Sequence, residues 1–200
     1  MNRNKTTSRK KLDDRGESIA HRFAALEEAA IDASSMIYML KTGFLGLLGA
    51  TITLKTIPSI FAETHWPALP VTVVEEDSVA AAEEAAQATS PLDREPDERG
   101  GAFHASMRSE GDERPNDEQL LHFAVGASLP LISDDRALLL AAADHGLEHY
   151  NSLMMLAFLR YRGRIDDAWY DEALGRLSEI GRYGEDILRR FEAISRALCG

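Results

Sequence analysis

Apolar positions along the chain switch repeatedly between a helical and an extended period. From Glu17 to Glu28, Ile19, Phe23 and Leu26 recur at helical spacing, which predicts a short amphipathic helix. Ala29 to Ala33 is a brief run of small and apolar residues that predicts a strand. Met36, Ile37 and Leu40 then form the apolar face of a following helix. "TLKTIP" predicts a second strand ending near Pro58, because a residue before proline is biased towards extended geometry, and a helix with Glu63 in its first turns comes next. "LPVTVVEE" is β-branched and bounded by proline and acids, the pattern of a third strand.

Beyond it, "SVAAAEEAAQA" is helical, whereas "TSPLDREPDERGG" has the prolines, glycines and charges of a mobile insertion spanning about 88–115. A helix from Asn116 to Val125 leads into the strand "SLPLIS". The next helix starts after Asp135 and stops at Gly146, a C-terminal capping glycine. "LEHY" is a further strand, and Asn151 or Ser152 caps the helix "LMMLAFLRYR", which ends at Gly163. Two more helices follow, Asp166 to Ile180 and Gly184 to Ala197. Strands alternating with helices predict an α/β domain with a mainly parallel sheet flanked by helices. Residues 17–198 would form this single domain, preceded by an arm, 1–16, with six Lys/Arg, two Asp and no apolar periodicity.

Composition narrows the class. Two hundred residues suit one domain, and 44% apolar with 28% charged residues is the balance of a soluble globular protein. The longest apolar stretch, "GFLGLLGATITL", is too short to span a bilayer, and the basic first residues lack the apolar run of a secretory signal. With Cys199 as the only cysteine, an intrachain disulfide is excluded, and a cytoplasmic location is expected. The net charge of −11 argues at first against a nucleic-acid partner. Its distribution weakens that objection: fourteen Asp/Glu against four Arg fall between Glu75 and Glu118, so the rest of the chain is close to neutral.

Acids recur where such sheets bind ligands, outside the carboxyl ends of the strands. Asp32 and the pair Asp134 and Asp135 each follow a strand. Asp117 begins the helix before "LPLIS". About ten helical residues cover ~15 Å and about five strand residues return ~16 Å, so Asp117 comes back to face the acids after the strand. Glu63 is the fourth candidate. Gathered carboxylates repel and bind protons more tightly unless a cation compensates. Oxygen donors without Cys or His suit a hard ion, Mg²⁺ or Mn²⁺, which can activate a water and neutralise charge on a phosphodiester. Each acid also has a simpler reading as a helix cap or an exposed glutamate. Between Asp134 and Asp135 the pattern alone does not choose.

With "IDASSMIYMLKTG", "IPSIFAETHW", "NDEQLLHFAVGASLPLISDD" and "GLEHYNSLMMLAFLRYRGRI" in this order, Ala29 to Phe191 resembles a PIN domain, the ribonuclease fold of VapC-like toxins and RNA-processing nucleases. The resemblance implies a three-layer α/β fold and a Mg²⁺- or Mn²⁺-dependent endoribonuclease. It implies Asp32, Glu63, Asp117 and Asp135 as metal-holding, catalytic residues, Asp135 being the acid of a Ser/Thr-x-Asp pattern that starts at Ser133. Asp134 and Ser133 are then candidates for the surrounding shell. RNA is the implied substrate, with an antitoxin or other protein partner and a homodimer as further expectations. The alternative is a non-catalytic PIN-like module that binds protein or RNA.

Other motifs carry less. His145 and His149 are separated by Gly146 and a helix end, which argues against zinc. "GFLGLLG" lacks a Walker lysine and GxGxxG spacing, and "DASS" lacks the second acid of a haloacid-type phosphatase. "LMMLAFL" is core. Arg160, Arg162 and Arg164 of "RYRGR" could meet an RNA backbone, although Asp166 and Asp167 beside them suit a solvated turn equally.

Overall fold

Among the described residues, five short parallel strands pair in the order β3-β2-β1-β4-β5. The computed structural model describes residues 18–89, 116–180 and 183–199; the expected arm 1–16 and nearly all of the expected insertion at 88–115 lie outside them. A helix α1 at 18–25 precedes β1 (Glu28–Ile31), and α2 (Ala33–Thr42) and α3 (Leu45–Gly49) connect β1 to β2 (Thr53–Thr56). Then come α4 (Pro58–Glu63), β3 (Thr72–Val73), α5 (Glu76–Thr89), α6 (Asn116–Gly126), β4 (Leu131–Ile132), α7 (Arg136–Asp144) and β5 (His149–Tyr150). Three helices close the chain: α8 (Ser152–Tyr161), α9 (Asp167–Ile180) and α10 (Glu185–Cys199).

The central strand is the most buried. Ala29, Ala30 and Ile31 of β1 are fully enclosed, as expected of a parallel strand covered on both faces, with Leu131 and Ile132 of β4 beside them. Strand order runs one way from β1 to β2 and β3, and the other way to β4 and β5. Right-handed crossovers therefore place the two sets of connections on opposite faces. Packing agrees: α2 contacts α3, α8 and α9, whereas α6 contacts α5 and α7. The expected α/β class is observed, with every strand pair parallel.

Several boundaries differ from expectation for local reasons. The first strand stops at Ile31 instead of Ala33, because Asp32 caps α2 through its own side chain. In α2 the buried apolar residues are Ala33, Met36 and Met39, with Ile37 and Leu40 only half-buried. "GFLGLLG" holds a helix, α3, because Phe44, Leu45 and Leu48 are all driven into the core. Glu63 is the last residue of a six-residue α4 and not in the first turns of a longer helix. The third strand is reduced to Thr72 and Val73, both exposed, since it has a hydrogen-bonded neighbour on one side only. "LMMLAFL" is core as expected, with every residue but Met154 buried.

The amino-terminal helix is fixed by aromatic packing. Phe23 meets Phe158 edge-on at 5.4 Å between ring centres, and the Arg22 guanidinium lies 5.0 Å over the Tyr150 ring. Arg162 donates to the Phe23 carbonyl at 3.4 Å. Arg160 reaches Asp167 and Ser195 and covers the Tyr170 ring at 4.8 Å. Two of the three arginines expected to be able to meet RNA, Arg160 and Arg162, thus also hold α8 to its neighbours, and Arg162 and Arg164 are exposed.

Candidate functional site

The strand order reverses between β1 and β4, and open α/β sheets bind their ligands outside the carboxyl ends of the strands at such a point. Asp32 follows β1 there and Ser133 follows β4. Backbone pairing fixes both, since the Asp32 N–H donates to the Ile132 carbonyl at 3.1 Å and the Ser133 N–H to that of Tyr150 at 2.9 Å.

Asp32 is 3% exposed and fully engaged. Its Oδ1 accepts the Ser35 N–H at 2.7 Å, the capping bond of α2, and its Oδ2 accepts the hydroxyls of Ser133 at 2.6 Å and Ser34 at 3.0 Å. Burial pushes the Asp32 carboxyl up to about 6; its hydrogen bonds to Ser133, Ser35 and Ser34 oppose that rise without cancelling it. The site therefore holds an acid whose negative charge is poorly solvated.

Asp117, in the first turn of α6, is half-buried. Burial raises its carboxyl above the ordinary range, and the negative charges of Glu63 and then Asp135 add to the rise. Those three expected residues therefore share one field although they come from α4, α6 and the β4–α7 turn. Asn116 donates from Nδ2 to Glu63 Oε1, tying the end of α4 to the start of α6. Asp135 is exposed and caps α7, accepting the N–H groups of Ala137 at 2.7 Å and Leu138 at 2.9 Å. Ser133 joins the two groups: its Oγ donates to Asp32 and accepts the Asp135 N–H at 2.9 Å.

Asp134 turns the other way. Its carboxylate accepts the Ser35 hydroxyl at 3.1 Å, the Ser152 N–H at 3.1 Å, and the hydroxyls of Ser152 and Tyr183. Asn151 caps α8, so the Ser152 N–H lies at the open start of that helix, where an anion is favoured. Burial, and then the Asp134 charge, raise the Tyr183 hydroxyl, which keeps it a donor. Of the adjacent pair, the cap is thus Asp135 and not Asp134.

Sequence reasoning passed over Ser34, Ser35 and Tyr183, and named Ser152 only as a helix cap and Asn116 only at the start of a helix. Ser34 and Ser35 stood in the quoted "DASS" beside Asp32, and Asn116 beside Asp117; Tyr183 offered no local signal.

The donor chemistry and the electrostatics fit a hard divalent cation. Oxygen donors dominate, and two carboxyls carry the raised proton affinity that a nearby cation would reverse. The ligand geometry is not closed: among the described residues, no three His, Cys, Asp or Glu side chains are placed to hold one ion. His149 instead lies with Nδ1 3.1 Å from the Leu147 carbonyl. No described helix is long and apolar enough to cross a membrane. Comparison of the chain with protein-family models, with curated proteins and with solved structures finds no match.

Proposed function

We propose that the chain is a divalent-metal-dependent ribonuclease of PIN type, with Asp32, Glu63, Asp117 and Asp135 holding Mg²⁺ or Mn²⁺. The observation that carries this reading is the shared field at Asp117: on top of its burial, the charges of Glu63 and Asp135, from two other elements, raise its carboxyl near the switch point where Asp32 is buried. Packing alone gives no reason to gather them, since mutual repulsion costs stability. Bound there, the ion would supply charge neutralisation on a phosphodiester and a more acidic water.

The remaining work belongs to the chain. Ser133 and Ser34 orient Oδ2 of Asp32, while the Ser35 N–H holds Oδ1. Asn116 keeps Glu63 beside Asp117, and the α7 amides fix Asp135. The open ligand geometry favours a second reading, a non-catalytic module in which Asp32 and Asp135 serve as caps. Incubation of the full chain with single-stranded RNA separates the two. Cleavage is expected with Mn²⁺ or Mg²⁺, lost with a chelator and lost in Asp32→Asn and Asp117→Asn, both still folded by circular dichroism. Metal-dependent cleavage at the normal rate in either variant contradicts the site, and none in the native chain supports the module.

A further inference from the structure

Asp134 lies at the same sheet edge as the four acids, yet its carboxylate is taken up by hydrogen-bond donors of the chain. Four bonds converge on it from α2, from the start of α8 and from Tyr183 in the connection between α9 and α10. Its two oxygens accept four bonds, one more than those of Asp32, so the chain itself holds this half-buried carboxylate in place. Its partners are informative. Ser35 uses its hydroxyl on Asp134 and its N–H on Asp32, so one residue bridges the two carboxylates. From Asp32 the chain of bonds continues through the Ser133 hydroxyl to the backbone of Asp135. A continuous path thus runs from Tyr183 to both buried and exposed members of the candidate site.

We infer that Asp134 is a positioning residue that sets the orientation of Asp32 through Ser35, and that Tyr183 makes this orientation depend on how the carboxy-terminal helices are seated. The inference rests on the proposed site for its consequence in activity, but not for its structural content. Groups that orient metal-holding side chains commonly cost 10–100-fold in metal affinity or activity when removed. Tyr183→Phe deletes one hydroxyl and leaves the ring to pack, so it isolates the bond from the fold.

The direct test is amide hydrogen exchange on the full-length native chain, Tyr183→Phe, Asp134→Ala and Asp134→Asn, without metal. In Tyr183→Phe, protection of the Ser35 and Ser152 amides should fall by about tenfold, the loss expected of one hydrogen bond to a charged acceptor. The Ala30 amide, bonded to the Pro130 carbonyl at 2.8 Å, should keep its protection. Asp134→Ala should lose more, and Asp134→Asn, which retains one acceptor oxygen, should recover part. Unchanged protection at Ser35 in Tyr183→Phe, or an equal loss at Ala30, overturns the inference. Manganese calorimetry on the same proteins reads the second half: about tenfold weaker binding in Tyr183→Phe is expected. Native affinity there overturns the link to the site. If the native chain binds no Mn²⁺ while the exchange pattern appears, the ribonuclease reading fails and the positioning role stands.

Discussion

Asp32 is a capping residue and a buried charge at once, and the two roles pull stability in opposite directions. Its cap bond and two hydroxyl partners stabilise α2, while its enclosure raises the carboxyl from 3.8 to about 6. A carboxyl bound more tightly to its proton in the folded chain favours folding when protonated. That contribution is full below about pH 4 and is lost as pH rises through about 6. A rise of this size corresponds to roughly 3 kcal/mol at neutral pH. Denaturant titrations of the metal-free protein at intervals from pH 4 to 7 check it: the stability difference, native minus Asp32→Asn, should become less favourable as pH rises. A difference independent of pH would show that the Asp32 charge is already compensated. Asp32 was legible in the sequence because one residue ends a strand, caps a helix and lies on the ligand edge. Asp134 was not, since its decisive partner Tyr183 is 49 residues away and shares no pattern with it.

At the level of elements, α5 and α6 approach backbone to backbone at Gly126. A Cβ added at Gly126, the last residue of α6, would lie 1.9 Å from the Ala82 carbonyl oxygen of α5. Gly126→Ala must therefore part α5 from α6, with an expected loss of about 1–3 kcal/mol. Gly175 offers the control, because nothing lies within 4 Å of a Cβ placed there in the middle of α9. Gly175→Ala should raise stability by about 0.5–1 kcal/mol through the lower entropy cost of alanine in a helix. Thermal melts of the two variants read both signs, and a neutral Gly126→Ala would refute the close approach. Helices were legible wherever apolar residues kept a long period, as in α8. The glycine-rich α3 was missed because its five residues are held by burial of Leu45 and Leu48, a tertiary effect. The reach of β3 was overestimated because β-branched residues mark extended chain whether or not a neighbour pairs with it.

For the whole molecule, topology brings distant acids together more than any local motif does. The order β3-β2-β1-β4-β5 makes β1 and β4 neighbours across about a hundred residues, and the Asp32 carboxylate meets the Ser133 hydroxyl across that junction. Counting helix and strand rises anticipated the return of Asp117, whereas the closeness of Glu63 depends on Asn116 at the start of α6. Asp32, Glu63, Asp117 and Asp135 are proposed to form one cation site. Isothermal titration of the full chain with Mn²⁺, beside Asp117→Asn, tests it most directly. Saturable, stoichiometric binding by the native chain that disappears in Asp117→Asn is the predicted result; no binding by the native chain, or equal binding by both, would contradict it.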